Sequence, residues 1–493
     1  MPSTFSNDLP KRFVTATFSL SLVLAVAGCA TPRLQSTVDL AAKFAGAPTT
    51  SEPDVVWWER YEDPVLSGLI SRAALENRDI RMAVERVRSA RAGETISRSV
   101  LLPSISAVSN ANSSGNGYSG GARQAAPKSD GIAGGLSVSW ELDLSGRLRA
   151  GAAAAAADAQ ASVDEARGVR LLVLTDVASN YFTLTGALQQ VGTVRAISSA
   201  QDETLRLVSA RERVGLASSF DVERARTEAE RARAAIPPLE TLVAVSRHRL
   251  AVLIGSQASA SASLQPWTGA VAVPAIKPGQ PAALLERRPD LLALSAQLDA
   301  ANWRRQQAKA EWFPRLFLGA MFGRQSMDVN GLDLGAAHFS NVAATLAMPL
   351  LDWGRTRSIN EIAESNQKQA LLRYENAIVR ALEDVENALV ALADERDRSR
   401  ILDSAAGSAQ AALGHAESLY RRGQIDLLPL LDAQRARLAV QINANDSRTQ
   451  ALLDSVLLFK ALGGGWQAFE REPPAVAAPA ETSSPVSTTK ESS

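Results

Sequence analysis

The 493-residue sequence is 46% hydrophobic, too apolar for global disorder and too long for one ordinary core. Its 52 basic and 52 acidic residues balance, and its five Tyr and twelve Phe do not cluster with Arg and Lys, which argues against nucleic acid as a partner. Three scattered histidines (His248, His338, His415) and one cysteine leave little for a metal site or a nucleophile–base pair, so no metal, cofactor or catalytic residue is expected.

At the start of the chain, Lys11 and Arg12 precede the apolar run FVTATFSLSLVLAVAG, which has the length of a signal peptide and is too short to span a bilayer as a helix. The run ends in VAGC. That ending resembles a bacterial lipobox, in which Cys29 would be diacylated and become the new N-terminus. The alternative is an ordinary signal peptide cut nearby, with Cys29 a bystander. Ala30 follows instead of an inner-membrane-retaining Asp, so the outer membrane is the better address.

Further along, PSISAVSN from Pro103 and LSVSWELD from Leu136 read as a hairpin, the second strand placing Leu136, Val138, Trp140 and Leu142 opposite Ser137, Ser139, Glu141 and Asp143. No proline lies between Pro127 and Pro237, and the Ala-, Leu- and Arg-rich window predicts long helices, with Val177, Tyr181, Leu184, Leu188 and Val191 on one stripe. Gly168, Gly186 and Gly192 would weaken that helix in isolation.

The same order then repeats. NRDIRMAV around Asp79 matches RPDLLALS around Asp290, and Pro103 matches Pro314, both 211 residues apart. Asp143 matches Asp352 at 209, and Gly215 matches Gly423 at 208. The second hairpin pairs PRLFLGAMFG with NVAATLAMPLL, whose Val342, Ala344, Leu346, Met348 and Leu350 oppose Ala343, Thr345, Ala347 and Pro349. A second window, free of proline between Pro349 and Pro429, carries the stripe Leu371, Tyr374, Ile378, Leu382, Val385, Leu389 and Leu392.

These readings divide the chain into a signal segment 1–28, a first repeat 29–265, a second repeat 266–469 and a flexible tail 470–493. The hairpins fall at about 103–143 and 314–351, the long helices at about 145–254 and 354–462. Segments near Trp57, from Gly255 to Gln280 and after Leu462 are expected to belt the helices. Four strands beside an export signal favour a membrane wall over a small soluble sheet. They cannot close alone, because edge N–H and C=O groups would face hydrocarbon unpaired. Two chains would give a filled barrel and three a wider duct of about twelve strands.

The lipobox, the duplication, the LDLSGR and LDWGR junctions and the YRRGQIDLLPLLDAQR turn together resemble the TolC-like outer-membrane factors, and within them the NodT-type efflux lipoproteins, over roughly Trp57 to Trp466. The resemblance implies an α+β membrane protein: a homotrimer whose twelve-stranded transmembrane β-barrel, four strands per chain, continues into a long periplasmic coiled-coil α-barrel. Its implied role is the outer-membrane exit duct of a tripartite efflux system, fed by a periplasmic adaptor and an inner-membrane RND-type pump, with no enzymatic activity. The alternative within the duct class is the exit of a type I protein secretion system.

Residue by residue, Asp221 and Tyr420 match a carboxylate–phenol latch, Leu428 an apolar constriction and Asp432 an acidic ring at the periplasmic aperture. Pro429 stands where some relatives have a second Asp. The resemblance further implies that Gly215 and Gly423 mark the helix-to-helix turns that meet the adaptor. Asp143 and Gly146, with Asp352 and Gly354, suit strand-to-helix junctions by their own chemistry: the carboxylate accepts from free helical N–H groups and glycine tolerates the bend. Two other classes fit less well. An exported enzyme would need an acid, base or nucleophile in a usable spacing, and a coiled-coil scaffold leaves the alternating strands unexplained.

Overall fold

A computed structural model describes residues 33–44, 54–115, 128–267, 269, 271–329 and 332–470. The signal segment, Cys29 and the tail beyond Glu470 lie outside the described residues. The chain forms two compact units, each drawn from both sequence repeats: Met1–Gly46, Arg78–Val169 and Gln280–Asn387 in one, Ala47–Asn77, Arg170–Gly279 and Ala388–Ser493 in the other.

The helices are α1 (Pro64–Glu76), α2 (Arg78–Ser99), α3 (Arg147–Arg213), α4 (Ser219–Ala234), α5 (Ile236–Leu253), α6 (Pro289–Ala310), α7 (Arg355–Arg421) and α8 (Leu427–Ala461). The duplication is visible in their bounds. Helices α3 and α7 both have 67 residues, about 100 Å at 1.5 Å per residue, and both begin and end 208 residues apart. Among the described residues α3 alone is apolar enough to cross a bilayer as a helix, but 56% of its most apolar stretch is buried in the protein, as in a core helix. The return paths differ. Pro237 and Pro238 interrupt the first between α4 and α5, since neither ring nitrogen can donate, whereas α8 runs unbroken for 35 residues.

In the first unit, strands β1 (Ser104–Ser114), β2 (Ser129–Leu142), β3 (Arg315–Val329) and β4 (Leu332–Ala347) make one antiparallel sheet in sequence order. Directly paired residues share a face. Ile105, Val138, Ala320 and Val342 form one cross-strand row, and Leu142, Leu316 and Leu346 another on the same side. The opposite side carries Ser104, Ser139, Gly319 and Ala343. Beyond those rows the apolar face continues through Ile132, Leu136 and Phe322, which are 66%, 53% and 47% exposed. Gly135 and Gly323 pair on the opposite side, where a Cβ on Gly323 would stand 2.8 Å from the Phe339 ring.

One expectation fails here. Strand β4 ends at Ala347, so Met348 and Leu350 do not continue its apolar face; Pro349 has no N–H to give the ladder and stops the strand.

In the second unit the Trp57 segment and the segment around Pro274 contact the long helices, and the segment after Leu462 contacts the Trp57 segment. The Trp57 indole stacks on Phe459 at 5.1 Å and donates through Nε1 to the Gly464 carbonyl at 3.2 Å. Asp63 caps α1 by accepting from Val65 and Leu66 N–H, and its other oxygen accepts from the Tyr181 hydroxyl at 2.5 Å. Arg396 donates to the Pro274 carbonyl. Between α3 and α8, Gln434 donates to Thr204 and Asn445 to Thr193, both at 2.9 Å. These polar rungs are eleven residues apart on each helix, three turns, and fix the antiparallel register. The glycine that weakens α3 locally earns its place by contact: a Cβ on Gly186 would lie 2.3 Å from Thr449 Oγ1.

Candidate functional site: junctions and helical tips

Each strand-to-helix junction spends one carboxylate on the helix start. Asp143 accepts from the N–H of Leu148 at 3.1 Å and of Arg149 at 2.9 Å. Asp352 accepts from Gly354 at 3.1 Å and from Thr356 N–H at 2.8 Å, and the Thr356 hydroxyl donates to it as well. Those donors, the hydroxyl first, hold the Asp352 carboxyl below the usual carboxylate range. Gly146 (φ 77°) and Gly354 (φ 89°) supply the left-handed bend. The one-residue change in repeat offset is located here: Leu144 and Ser145 separate Asp143 from Gly146, whereas Trp353 alone separates Asp352 from Gly354. In the shorter junction Trp353 itself is forced to φ 53°. At the first junction, Arg147 donates to both Glu141 oxygens at 2.7 and 2.8 Å and reaches Glu311 at 3.7 Å, tying the start of α3 to the segment that leads into β3.

The two tips, both in the second unit, share one backbone design. Leu216 N–H donates to Arg211 carbonyl at 2.8 Å and Gly215 to Glu212 at 2.8 Å; Gln424 donates to Leu419 at 2.9 Å and Gly423 to Tyr420 at 3.0 Å. Each is a Schellman ending with a left-handed glycine, at φ 77° and 72°.

Beyond the turns the side chains diverge. The Asp221 carboxylate is engaged in a capping box: it accepts from Ser218 N–H at 3.1 Å and from Ser218 Oγ at 2.8 Å, and its own N–H donates to that hydroxyl. Tyr420 is 4% exposed in an apolar cluster with Val208, Val222, Leu413, Leu427 and Leu431, its ring 4.8 Å from the Arg211 guanidinium. Among the described residues no hydrogen bond joins Asp221 to Tyr420, so the expected latch is not made within one protomer; the Asp221 carboxylate is engaged by Ser218, and the Tyr420 ring lies against Arg211.

Leu428 and Asp432 stand one turn apart on α8, 44% and 58% exposed, free to face a common space. Asp432 is not an isolated charge. Arg435 lies 3.2 Å from it and donates to Glu228 of α4 at 2.7 Å. Glu228 is buried, and the Arg435 hydrogen bond holds its carboxyl below the usual range. The pattern of the sequence did not reveal the Glu228–Arg435 pair. Each residue reads as an ordinary charge on a helix surface, and only the α4–α8 register brings them together.

A four-stranded sheet with one apolar face, continued by long paired helices, suits an outer-membrane channel, and the comparisons with known proteins agree. The Outer membrane efflux protein pattern matches residues 69–256 and 281–464, one match in each repeat. The outer membrane protein OprJ of Pseudomonas aeruginosa is 32% identical over 418 residues, covering 84% of this chain and 87% of that one. The probable outer membrane lipoprotein SilC of Salmonella typhimurium is 28% identical over 91% of this chain and 98% of its own length. The solved open state of the Neisseria gonorrhoeae MtrE outer membrane channel superposes with a TM-score of 0.79 at 26% identity, covering 88% and 98% of the two chains. The chain belongs to the outer membrane efflux protein family. It acts in the outer membrane as a trimeric channel, four strands per protomer in a shared barrel and helices extending into the periplasm.

Proposed function

We propose that the trimer is the passive exit duct of a tripartite efflux assembly, receiving drugs or other small molecules from an inner-membrane RND-type pump through a periplasmic adaptor. The observation that carries the reading is the arrangement at the second tip, where Leu428 and Asp432 are left exposed one turn apart at the start of α8, just past the end of the 67-residue α7. A passive duct needs a closed state. Three Leu428 side chains around an axis narrow and dewet an aperture, and three Asp432 carboxylates above them favour cations, an effect that Arg435 tempers. Tyr420 and Asp221 hold the two turns in place beneath that ring. The turns at Gly215 and Gly423 are the adaptor-facing ends, and Val214, Leu216 and Phe220, 68%, 71% and 66% exposed, offer the apolar surface for the contact.

The gate is tested in planar bilayers: Tyr420→Phe with Leu428→Ala raises single-channel conductance without lowering trimer yield, and Asp432→Ala weakens cation preference. Unchanged conductance and selectivity in assembled trimers remove these residues from the gate. Acylation of Cys29 supplies a second attachment beside the barrel, so Cys29→Ser abolishes palmitate labelling and leaves assembly intact. Equal labelling of both proteins refutes the anchor.

A further inference from the structure

We propose that Ser109, Arg324 and His338, set around Gly134 on the apolar face of the sheet, bind a phosphate of the lipid A that forms the outer leaflet around the barrel. The four residues make one cross-strand row, Ser109 opposite Gly134, Gly134 opposite Arg324, and Arg324 opposite His338. On this face the rows toward the helices carry no charge: Leu316, Leu318, Ala320 and Phe322 precede Arg324 along β3. Arg324 is therefore the first charge met on leaving the apolar band.

Its height fits a headgroup. Eight residues separate Leu316 from Arg324, about 26 Å along the strand at about 3.3 Å per residue. At a tilt of about 40° that is roughly 20 Å of membrane depth, near the upper margin of an apolar band about 25 Å tall. Lower down an unpaired guanidinium would be costly, and at the margin it faces lipid phosphate.

The row is also unclaimed by the protein. Arg324 and His338 are exposed, and among the described residues neither they nor the Ser109 hydroxyl has a hydrogen-bond or ion-pair partner. Gly134 needs no special backbone angle and a Cβ there would meet nothing within 4 Å, unlike Gly135 on the other face, whose Cβ would strike the Phe322 carbonyl at 2.2 Å. Packing therefore does not demand glycine at 134. With strands about 4.8 Å apart, its missing side chain opens a gap of about 10 Å between Ser109 and Arg324, wide enough for one phosphate. A guanidinium, an imidazole and a hydroxyl then donate to it from both sides.

The test uses the full-length, delipidated trimer and native mass spectrometry, with diphosphoryl lipid A, monophosphoryl lipid A and inorganic phosphate as probes. Wild type retains diphosphoryl lipid A, and Arg324→Gln with His338→Gln weakens retention about tenfold. Gly134→Val, which fills the gap and keeps every charge, does the same. Heat-modifiable migration certifies assembly, and Arg324→Gln alone serves as the second variant should Gly134→Val fail to assemble. Equal retention by wild type and every assembled variant overturns the proposal. So does displacement by inorganic phosphate alone, which would make the row a free-phosphate site. Unaltered conductance in the same variants separates this result from any failure of the gate.

Discussion

The first and second helical tips start from the same backbone and end with different means of support. Both turns close with a Schellman pair and a left-handed glycine, 208 residues apart. The first adds the reciprocal Ser218–Asp221 capping box to the packing of Val222 and Ala225 in the shared tip cluster, and leaves Val214, Leu216 and Phe220 exposed. The second has no side-chain cap at Asp426 and is held from behind, by Leu427, Leu430 and Leu431 buried in the tip cluster. Duplication preserved the turn and divided the work. A tip that carries its own cap besides its packing can turn further apolar side chains outward, toward a partner; a tip fastened by packing alone can present a constriction on its opposite face.

The strongest way to break that contrast is to hollow out the packed tip. Leu431 is fully buried, so Leu431→Ala loses transfer energy and leaves a cavity, costing about 2–5 kcal/mol. Leu428→Ala, at a half-exposed position, costs under about 1 kcal/mol. Hydrogen exchange over the first turns of α8 should accelerate strongly in the first variant and little in the second. Comparable protection in the two would mean that burial does not hold the second tip. The shared backbone supplies the next test: Gly215→Ala and Gly423→Ala each force a Cβ into the left-handed region, costing about 1–2 kcal/mol. The two losses should be alike, since the turns are alike. A much larger loss at one turn would show that the duplicated geometry no longer carries equal strain.

Much of this was legible in the sequence, and what was not has physical causes. Repeat offsets and proline-free windows located the hairpins and long helices because periodicity and the missing proline N–H act locally. The same local rule, applied to Pro349, ends β4 at Ala347, yet the alternation running through Met348 and Leu350 masked it. Pro237 and Pro238 likewise mark the break between α4 and α5. The capping use of Asp221 was also written locally, in the S-x-x-D spacing from Ser218, and a match to a latch obscured it. Glu228–Arg435 was not legible, for it depends on the register of two helices about two hundred residues apart in sequence.

That ion pair joins the two tips and gives a pH test of smaller size. The folded-state pKa of Glu228 lies below its ordinary value near 4.5, so its contribution is present above that value and is lost as pH falls through the folded pKa. With Arg435 42% exposed, the contribution is about 1 kcal/mol. Exchange protection in α4 and the start of α8 should fall together on acidification below about pH 4.5. Glu228→Gln should remove that acid dependence. An acid response that persists in the variant would place its origin in other carboxylates.

The smallest expected effect is the most discriminating, because it asks each tip for a cap. At the first tip the Ser218 hydroxyl accepts from Asp221 N–H at 3.1 Å and donates to the Asp221 carboxylate at 2.8 Å. Ser218→Ala leaves one helical N–H without its acceptor and frees the carboxylate, a loss of about 0.5–1 kcal/mol. The corresponding residue at the second tip is Asp426, whose side chain makes no cap bond although its backbone angles (φ −76°, ψ 174°) would allow one. A carboxylate at a helix N-terminus still interacts with the helix dipole, so Asp426→Ala should cost no more than about 0.3 kcal/mol. Exchange of the first-turn amides in α4 and α8 measures both changes in the same experiment. Loss at α4 with no change at α8 supports a locally fastened first tip and a packed second one. Equal losses would mean that the second tip is also capped in solution, and the division of labour between the tips would then rest on the exposed side chains alone.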